Sequence, residues 1–232
     1  RAGKPAVTKA MLAEYYVSMQ EYILPFTRGR PVSMNRYPDG IYGPSFWHKD
    51  YSQPIPEGIQ TYTHYSEGDD RDMRYIVADN APALVWLAQL GCLEINTWMS
   101  RTDRPSSPDF IVFDVDPYLS WERGQKDTTY TDQDYVAAQD ATGWLKELLD
   151  QIGLRGYLKT SGKTGLHVYV PIKRIYTYDQ TRDYARTLVE HLARLHPKEL
   201  TTAWREVDRA GKVFLDFTIN TRGKTLCIPY SP

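Results

Sequence analysis

Apolar positions recur at helical spacing in four stretches of the chain and form short alternating or continuous runs elsewhere. From Thr8 to about Ile23, the set Met11, Leu12, Tyr15, Tyr16, Met19 and Ile23 predicts a helix capped by Thr8 and ended by Pro25. Residues 28–68 are rich in Gly, Pro and Tyr, with turn signals at Pro38-Asp39-Gly40 and Gly43-Pro44, and read as short strands and loops. Asn80 can cap a helix running to Leu90, with Pro82 in its first turn and Gly91 closing it. Leu93–Trp98 and Phe110–Val115 read as strands, and Tyr118 to about Thr131 as a polar connection. The clearest helix spans Thr131 to Ile152. Its expected apolar face is Tyr135, Val136, Trp144, Leu145, Leu148, Leu149 and Ile152, with Gly153 as the stop. Strands near Gly156–Thr160 and Leu166–Val170 flank a Gly turn, and Asp179 to His196 is an amphipathic helix halted by Pro197. Val213–Ile219, a turn at Asn220–Gly223, and Thr225–Ile228 read as a final hairpin. Helices alternate with strands but hairpins are frequent. The pattern predicts an α/β (α+β) fold with a mixed β-sheet flanked by helices, and a loop-and-strand lobe over about 28–68 set apart from the main sheet.

With 232 residues, the chain fits one large domain or two closely packed lobes. Hydrophobic residues at 41% and charged residues at 25% exclude a disordered or collagen-like chain. No apolar run approaches the ~20 residues of a membrane span. No charged-then-apolar leader follows Arg1, and the sequence is compatible with a fragment of a longer chain. Only Cys92 and Cys227 occur, so a disulfide framework or Cys-rich zinc site is unsupported and a reducing cytoplasm is the default. A net charge of −1 argues against a polycation coating nucleic acid but leaves room for a basic groove on one face.

Four segments carry candidate chemistry. In Ile111-Val112-Phe113-Asp114-Val115-Asp116-Pro117, residues two apart in a strand share a face, so Asp114 and Asp116 project together. Paired carboxylates repel unless a cation neutralises them, and hard divalent ions take oxygen ligands. A solvated strand end before a Pro turn is the plain alternative. Asp216 lies in the apolar strand Val213-Phe214-Leu215-Asp216-Phe217, where an unpaired charge is costly. An Arg partner or a metal would satisfy it, and a third carboxylate would complete a two-metal clamp. Thr160-Ser161-Gly162-Lys163-Thr164-Gly165-Leu166-His167 is not a phosphate-binding Walker loop. Gly156 lies one residue too far upstream, and a strand pattern follows instead of a helix. It reads as strand, turn, strand, with exposed turn amides, Ser161 and Lys163 able to reach triphosphate oxygens and His167 on the strand just beyond, or else as a plain surface hairpin. Asn220-Thr221-Arg222-Gly223-Lys224-Thr225 is a basic turn just beyond the Asp216 strand, suited either to anions or to solvent.

Together these segments resemble the polymerase (primase-polymerase) domain of non-homologous end-joining DNA ligase D, within the archaeo-eukaryotic primase superfamily. The resemblance runs from Thr8-Lys9 to Pro229-Tyr230-Ser231. It takes in Arg36-Tyr37-Pro38-Asp39-Gly40, Phe46-Trp47-His48-Lys49, Leu93-Glu94-Ile95 with Trp98, and Phe113 to Pro117. It continues through Thr160-Ser161-Gly162 with Gly165-Leu166-His167, Gly211 to Asp216, and Gly223-Lys224-Thr225.

The resemblance implies a single two-lobed primase-polymerase catalytic core over 1–232 and a DNA-dependent nucleotidyltransferase that fills and extends break ends, preferring ribonucleotides. It implies two divalent ions, Mn2+ or Mg2+, on Asp114, Asp116 and Asp216. Ser161, Lys163, His167, Arg222 and Lys224 would bind the nucleotide, and Lys9 and Lys49 a DNA 5′-phosphate. Aromatic side chains such as Phe46, Trp47 and Tyr51 could stack on template bases. The implied partners are gapped or overhanging DNA with 5′-phosphorylated ends, NTP or dNTP, Ku and a DNA ligase, in a cytoplasmic, nucleoid-associated setting without a membrane. Two departures stand out: Asn96 replaces a usual His, and the turn places Lys163-Thr164 where some members carry the basic residue one step later. The rival readings are a metal-dependent nuclease or phosphoesterase on the same acids, and a catalytically silent DNA-end-binding module.

Overall fold

The computed structural model describes residues 7–66, 68–118 and 131–232. The chain divides into two units, residues 1–105 with 225–232, and residues 106–224.

In the first unit, α1 (Lys9–Ser18) begins on Thr8, whose Oγ1 accepts the Met11 N–H at 3.2 Å. The single helix expected to Ile23 is two. Met19 leaves helical geometry, and α2 (Gln20–Thr27) runs through Pro25. Burial of Ile23 and Thr27 outweighs the one backbone hydrogen bond that Pro25 removes. α3 (Ala81–Gln89) follows the sequence closely: Asn80 Oδ1 accepts the Ala83 N–H, and Gly91 takes the left-handed conformation. Beneath these helices lies an antiparallel sheet of β1 (Pro31–Arg36), β2 (Phe46–His48), β3 (Gln60–Ser66), β4 (Arg71–Val77), β5 (Cys92–Thr97) and the chain-terminal β11 (Leu226–Cys227). The 28–68 stretch thus contributes three strands to a sheet shared with β4, β5 and β11. Leu12, Tyr16, Ile23, Leu84 and Leu87 pack on Val32, Met34, Ile76 and Ile95.

In the second unit, β6 (Phe110–Pro117) is the middle strand of the order β7-β8-β6-β10-β9, with β7 (Tyr157–Thr160), β8 (Leu166–Pro171), β9 (Leu200–Thr201) and β10 (Val213–Asp216). Only the β9–β10 pair is parallel, which makes the sheet mixed as expected. α4 (Asp132–Gln151) and α5 (Tyr178–Leu195) each start with a capping box, on Thr131 and Thr177. The buried stripe of α4 is Ala138, Ala141, Leu145 and Leu149, while Tyr135, Val136 and Ile152 of the expected face are exposed. Small Ala side chains let the helix approach the sheet closely, and the larger residues fall to its flanks. Ile111, Phe113, Val115, Leu166, Val168, Val213 and Leu215 meet the α4 stripe and Ala185, Val189 and Leu192 of α5. Period-two alternation therefore sends Asp114, Asp116, His167 and Asp216 to the opposite face.

The final hairpin does not form. β10 pairs with β6 in the second unit, whereas β11 pairs with β5 in the first. Each segment is a good strand locally, but sequence pattern does not name a strand's partner. Most of the connection expected over 118–131 lies outside the described residues.

Candidate metal and nucleotide site

Strand register builds the centre of the site. Lys159 stands opposite His167, His167 opposite Asp114, and Asp114 opposite Asp216, one row across β7, β8, β6 and β10. Directly opposed side chains in antiparallel pairs share a face, and Asp116 joins them two residues along β6. Asp114, Asp116, Asp216 and His167 are thus brought together by hydrogen-bond register rather than by loops.

Burial and repulsion between the acids push the Asp114 carboxyl up to about 8, with Asp116 and Asp216 the opposing charges. Asp116 is raised by burial and then by Asp216, and the cations Arg209 and Lys163 pull it partly back. His167 is held down at about 3 by burial and then by Lys159. Its Nε2 lies 3.4 Å from Asp114 Oδ1, the separation of an ion pair, but a neutral ring and a raised carboxyl make this a polar contact without charge. Lys159 Nζ lies 3.4 Å from His167 Nδ1. An ammonium only donates, so Nδ1 accepts and Nε2 carries the ring proton.

The turn after β7 is wired through Ser161. Its Oγ accepts the N–H of Lys163 at 3.2 Å and of Gly165 at 3.0 Å, and its own N–H donates to Gly165 O at 2.9 Å. The amides of Lys163 and Gly165, expected to face a ligand, are therefore spent inside the turn, because a hydroxyl at its first residue competes for them. The Ser161 hydroxyl proton and the Lys163 ammonium are donors the turn can offer to an anion. Arg222 and Lys224 are exposed on the turn that follows β10.

Two residues near the acids escape sequence reasoning. Arg209 is buried, with its Cζ 3.5 Å from the Phe214 ring centroid, and it donates to Ala203 O, Trp204 O and Tyr118 Oη. Only its place seven residues before Asp216 could have suggested it. Lys159 could have been found by folding the β7–β8 hairpin in register about Gly162.

The remaining candidates belong to the first unit. Lys9 is exposed at the start of α1. Lys49 Nζ is paired with Asp69 at 2.9 Å. Phe46 and Trp47 are 46% and 61% exposed, whereas Tyr51 is buried at 6%, edge-on to Trp86. Tyr51 is core and offers no surface for template bases to stack on. Asn96 is buried, and its Nδ2 donates to Glu94 O at 3.3 Å.

A divalent ion suits the three acids. Their donors are all carboxylate oxygens, the choice of hard cations, and Asp114 Oδ1 is buried without a hydrogen-bond partner. Among the described residues no three His, Cys, Asp or Glu side chains converge on one point as they stand. One oxygen of Asp216 is occupied by the Thr218 N–H at 2.6 Å.

The family described as LigD, primase-polymerase domain, matches residues 8–232. The multifunctional non-homologous end joining protein LigD of Pseudomonas aeruginosa is 34% identical over 227 residues, 97% of this chain and 25% of that protein. The bifunctional non-homologous end joining protein LigD of Bacillus subtilis is 30% identical over 225 residues, 97% of this chain and 34% of that protein. The chain thus spans about a quarter to a third of the length of these relatives. The polymerase domain from Mycobacterium tuberculosis ligase D, solved in complex with DNA, superposes with a TM-score of 0.84 at 26% identity, covering 97% of this chain and 76% of that one. The chain belongs to the LigD primase-polymerase domain family.

Proposed function

We propose that this chain is a template-directed nucleotidyltransferase that extends and fills DNA break ends in non-homologous end joining, with ribonucleotides preferred. The observation that carries the reading is the register row placing Asp114, Asp216 and His167 side by side, with Asp116 next along β6. Asp114, Asp116 and Asp216 would hold two divalent ions, manganese or magnesium. Bound there, the ions stabilise charge on the attacking and leaving oxygens of an in-line displacement. The Ser161 hydroxyl, the Lys163 ammonium, and Arg222 and Lys224 neutralise the triphosphate, and the neutral His167 offers its Nε2–H. Phe46 and Trp47 are suited to stack on template bases. DNA ends carrying a 5′-phosphate, Ku and a DNA ligase are the partners this reading implies, on the DNA of the cytoplasmic nucleoid.

The test is labelled gapped DNA with manganese and either ribonucleotides or deoxyribonucleotides. Lengthening is expected, faster with ribonucleotides. Shortening would make the chain a nuclease, and tight binding with no change in length would make it an end-binding module.

The raised acids set a pH dependence. Asp114 stands near 8 in the folded chain against about 3.9 unfolded, so its contribution is fully present below about pH 4 and is lost as pH rises through about 8. Metal-free protein should lose melting temperature between pH 5.5 and 8 relative to an Asp114→Asn variant. Manganese should restore it, with a larger increment at pH 8. Equal increments at both pH values would contradict a carboxylate metal site.

At the first unit, Lys9→Ala should weaken binding of recessed 5′-phosphorylated DNA about tenfold, the scale of one charge-assisted contact, and leave 5′-hydroxyl DNA unchanged. Because Asp69 already occupies the Lys49 ammonium, Asp69→Asn should tighten phosphorylated ends alone. Equal effects on both DNAs would make these lysines general backbone contacts.

A further inference from the structure

Asn220 reads in the sequence as an ordinary turn residue before Gly223, yet it is 1% exposed. Its Oδ1 accepts the Val112 N–H at 2.8 Å, and its Nδ2 donates to Val112 O at 2.7 Å and to Phe217 O at 2.9 Å. Leu215 lies opposite Val115 and Asp216 opposite Asp114, so two positions further the ladder would bring Thr218 opposite Val112. β10 instead stops at Asp216. The Asn220 side-chain amide turns its acceptor and one of its two donors to Val112, as a peptide unit would, and fills the place that the Thr218 backbone would have taken.

We infer that Asn220 is a positioning residue. It lets the strand end at Asp216 and clamps the basic turn carrying Arg222 and Lys224 to β6, two residues from Asp114. This deepens the proposed function and rests on it. Within the turn, the Asn220 N–H donates to Phe217 O at 3.2 Å and the Lys224 N–H to Thr221 O at 3.0 Å. The Thr221 hydroxyl donates to Thr218 O at 2.8 Å and accepts from Arg182 Nη1 at 3.4 Å. The turn is therefore stiff in itself and is held to β6 by a buried side-chain amide. Freed from strand pairing, the Thr218 N–H closes onto Asp216 Oδ1, so the same device sets one acid and two cations together. Arg182 donates to Thr221 Oγ1 and to Asp179 Oδ1, and does not replace the clamp. A buried Asn is also satisfied by a purely structural role, and the test has to separate the two.

Asn220→Ala and Asn220→Gln are to be compared with the whole chain, using inorganic triphosphate with manganese as the probe. Amide hydrogen exchange over 217–225 and melting temperature are measured alongside. Ala removes the clamp and leaves Val112 without partners. Gln keeps donor and acceptor but is one methylene longer, so it can still satisfy Val112 only by displacing the turn. The expected result is faster exchange over 217–225 in Ala, and at least a tenfold loss of triphosphate affinity in Ala. Gln should lose affinity by severalfold with a melting temperature near wild type, and this arm holds even if Ala fails to fold. Wild-type affinity in a folded Gln variant would overturn the inference, since the turn would then be displaced without consequence. Lowered melting temperature with unchanged affinity in both variants would also overturn it and leave Asn220 as a structural strut. Failure of the wild-type chain itself to bind triphosphate with manganese would instead refute the proposed site, and the inference with it.

Discussion

Asp116→Ala is expected to lower nucleotide addition by at least about a thousandfold, measured as extension of a gapped, 5′-phosphorylated primer with manganese. Asp116 is the acid nearest the end of β6, and its carboxyl is raised by burial and then by Asp216, with Arg209 and Lys163 pulling it only partly back. Its loss removes a ligand and leaves the two other acids to bind the cations alone. The fold should survive. Arg209, which offsets Asp116, keeps acceptors in Ala203 O, Trp204 O and Tyr118 Oη, so no buried cation is left bare. Repulsion within the acid row falls at the same time. The metal-free variant should therefore melt no lower than wild type, and its gain on adding manganese should shrink. DNA-end affinity should hold, because no proposed end contact lies on β6. Asp116→Asn, which keeps the shape and removes the charge, should match Ala in activity. Extension at the wild-type rate in either variant would remove Asp116 from the metal site. Loss of activity together with loss of DNA binding would mean that the fold, rather than the ligand set, had failed.

Much of this site was legible because it is built from strands. Alternation in Ile111 to Asp116 already separates three residues that pack on helices from those that do not, and the structure keeps that separation. The helix starts at Thr8, Asn80 and Thr131 were legible for a similar reason, since caps act within a few residues. What sequence could not supply was pairing. Leu226–Cys227 looks like the return strand of a hairpin with β10, and it joins β5, a strand more than a hundred residues away in the chain. The α4 face was misjudged because hydrophobicity favoured Tyr135 and Val136, whereas close packing favoured Ala138 and Ala141. Asn220 and Arg209 were hidden because polar residues in loops are usually solvated, and only the fold shows that these two are buried. Ser161 was identified as a candidate, but its hydrogen bonds to the turn amides depend on a loop conformation that residue type alone does not dictate.

Gly165→Ala should cost about a hundredfold in kcat and several degrees in melting temperature, although it adds a single methyl group. Gly165 is not in the left-handed region, so its backbone would accept any residue. The constraint is space. A Cβ there would collide with the Val115 carbonyl oxygen and come within 2.8 Å of Asp116 Oδ1. The first obstacle is backbone and cannot swing away, so either β8 withdraws from β6 or the turn closed by Ser161 opens. Overpacking of this kind costs about 1–3 kcal/mol. Both escapes move Asp116 or its neighbours, and a misplacement near 1 Å is enough for a loss of about a hundredfold. Gly162, three residues earlier, supplies the control. It has φ +94° and nothing within 4 Å of a Cβ, so Ala there strains the backbone without touching the acids. Gly162→Ala should lower melting temperature by an amount comparable to Gly165→Ala and keep kcat within a few-fold of wild type. Measuring melting temperature and kcat for the pair separates a stability effect from a geometric one. If Gly165→Ala kept its rate while losing stability, the Asp116 carboxylate would have to tolerate displacement, which a metal ligand held by register against Phe214 does not.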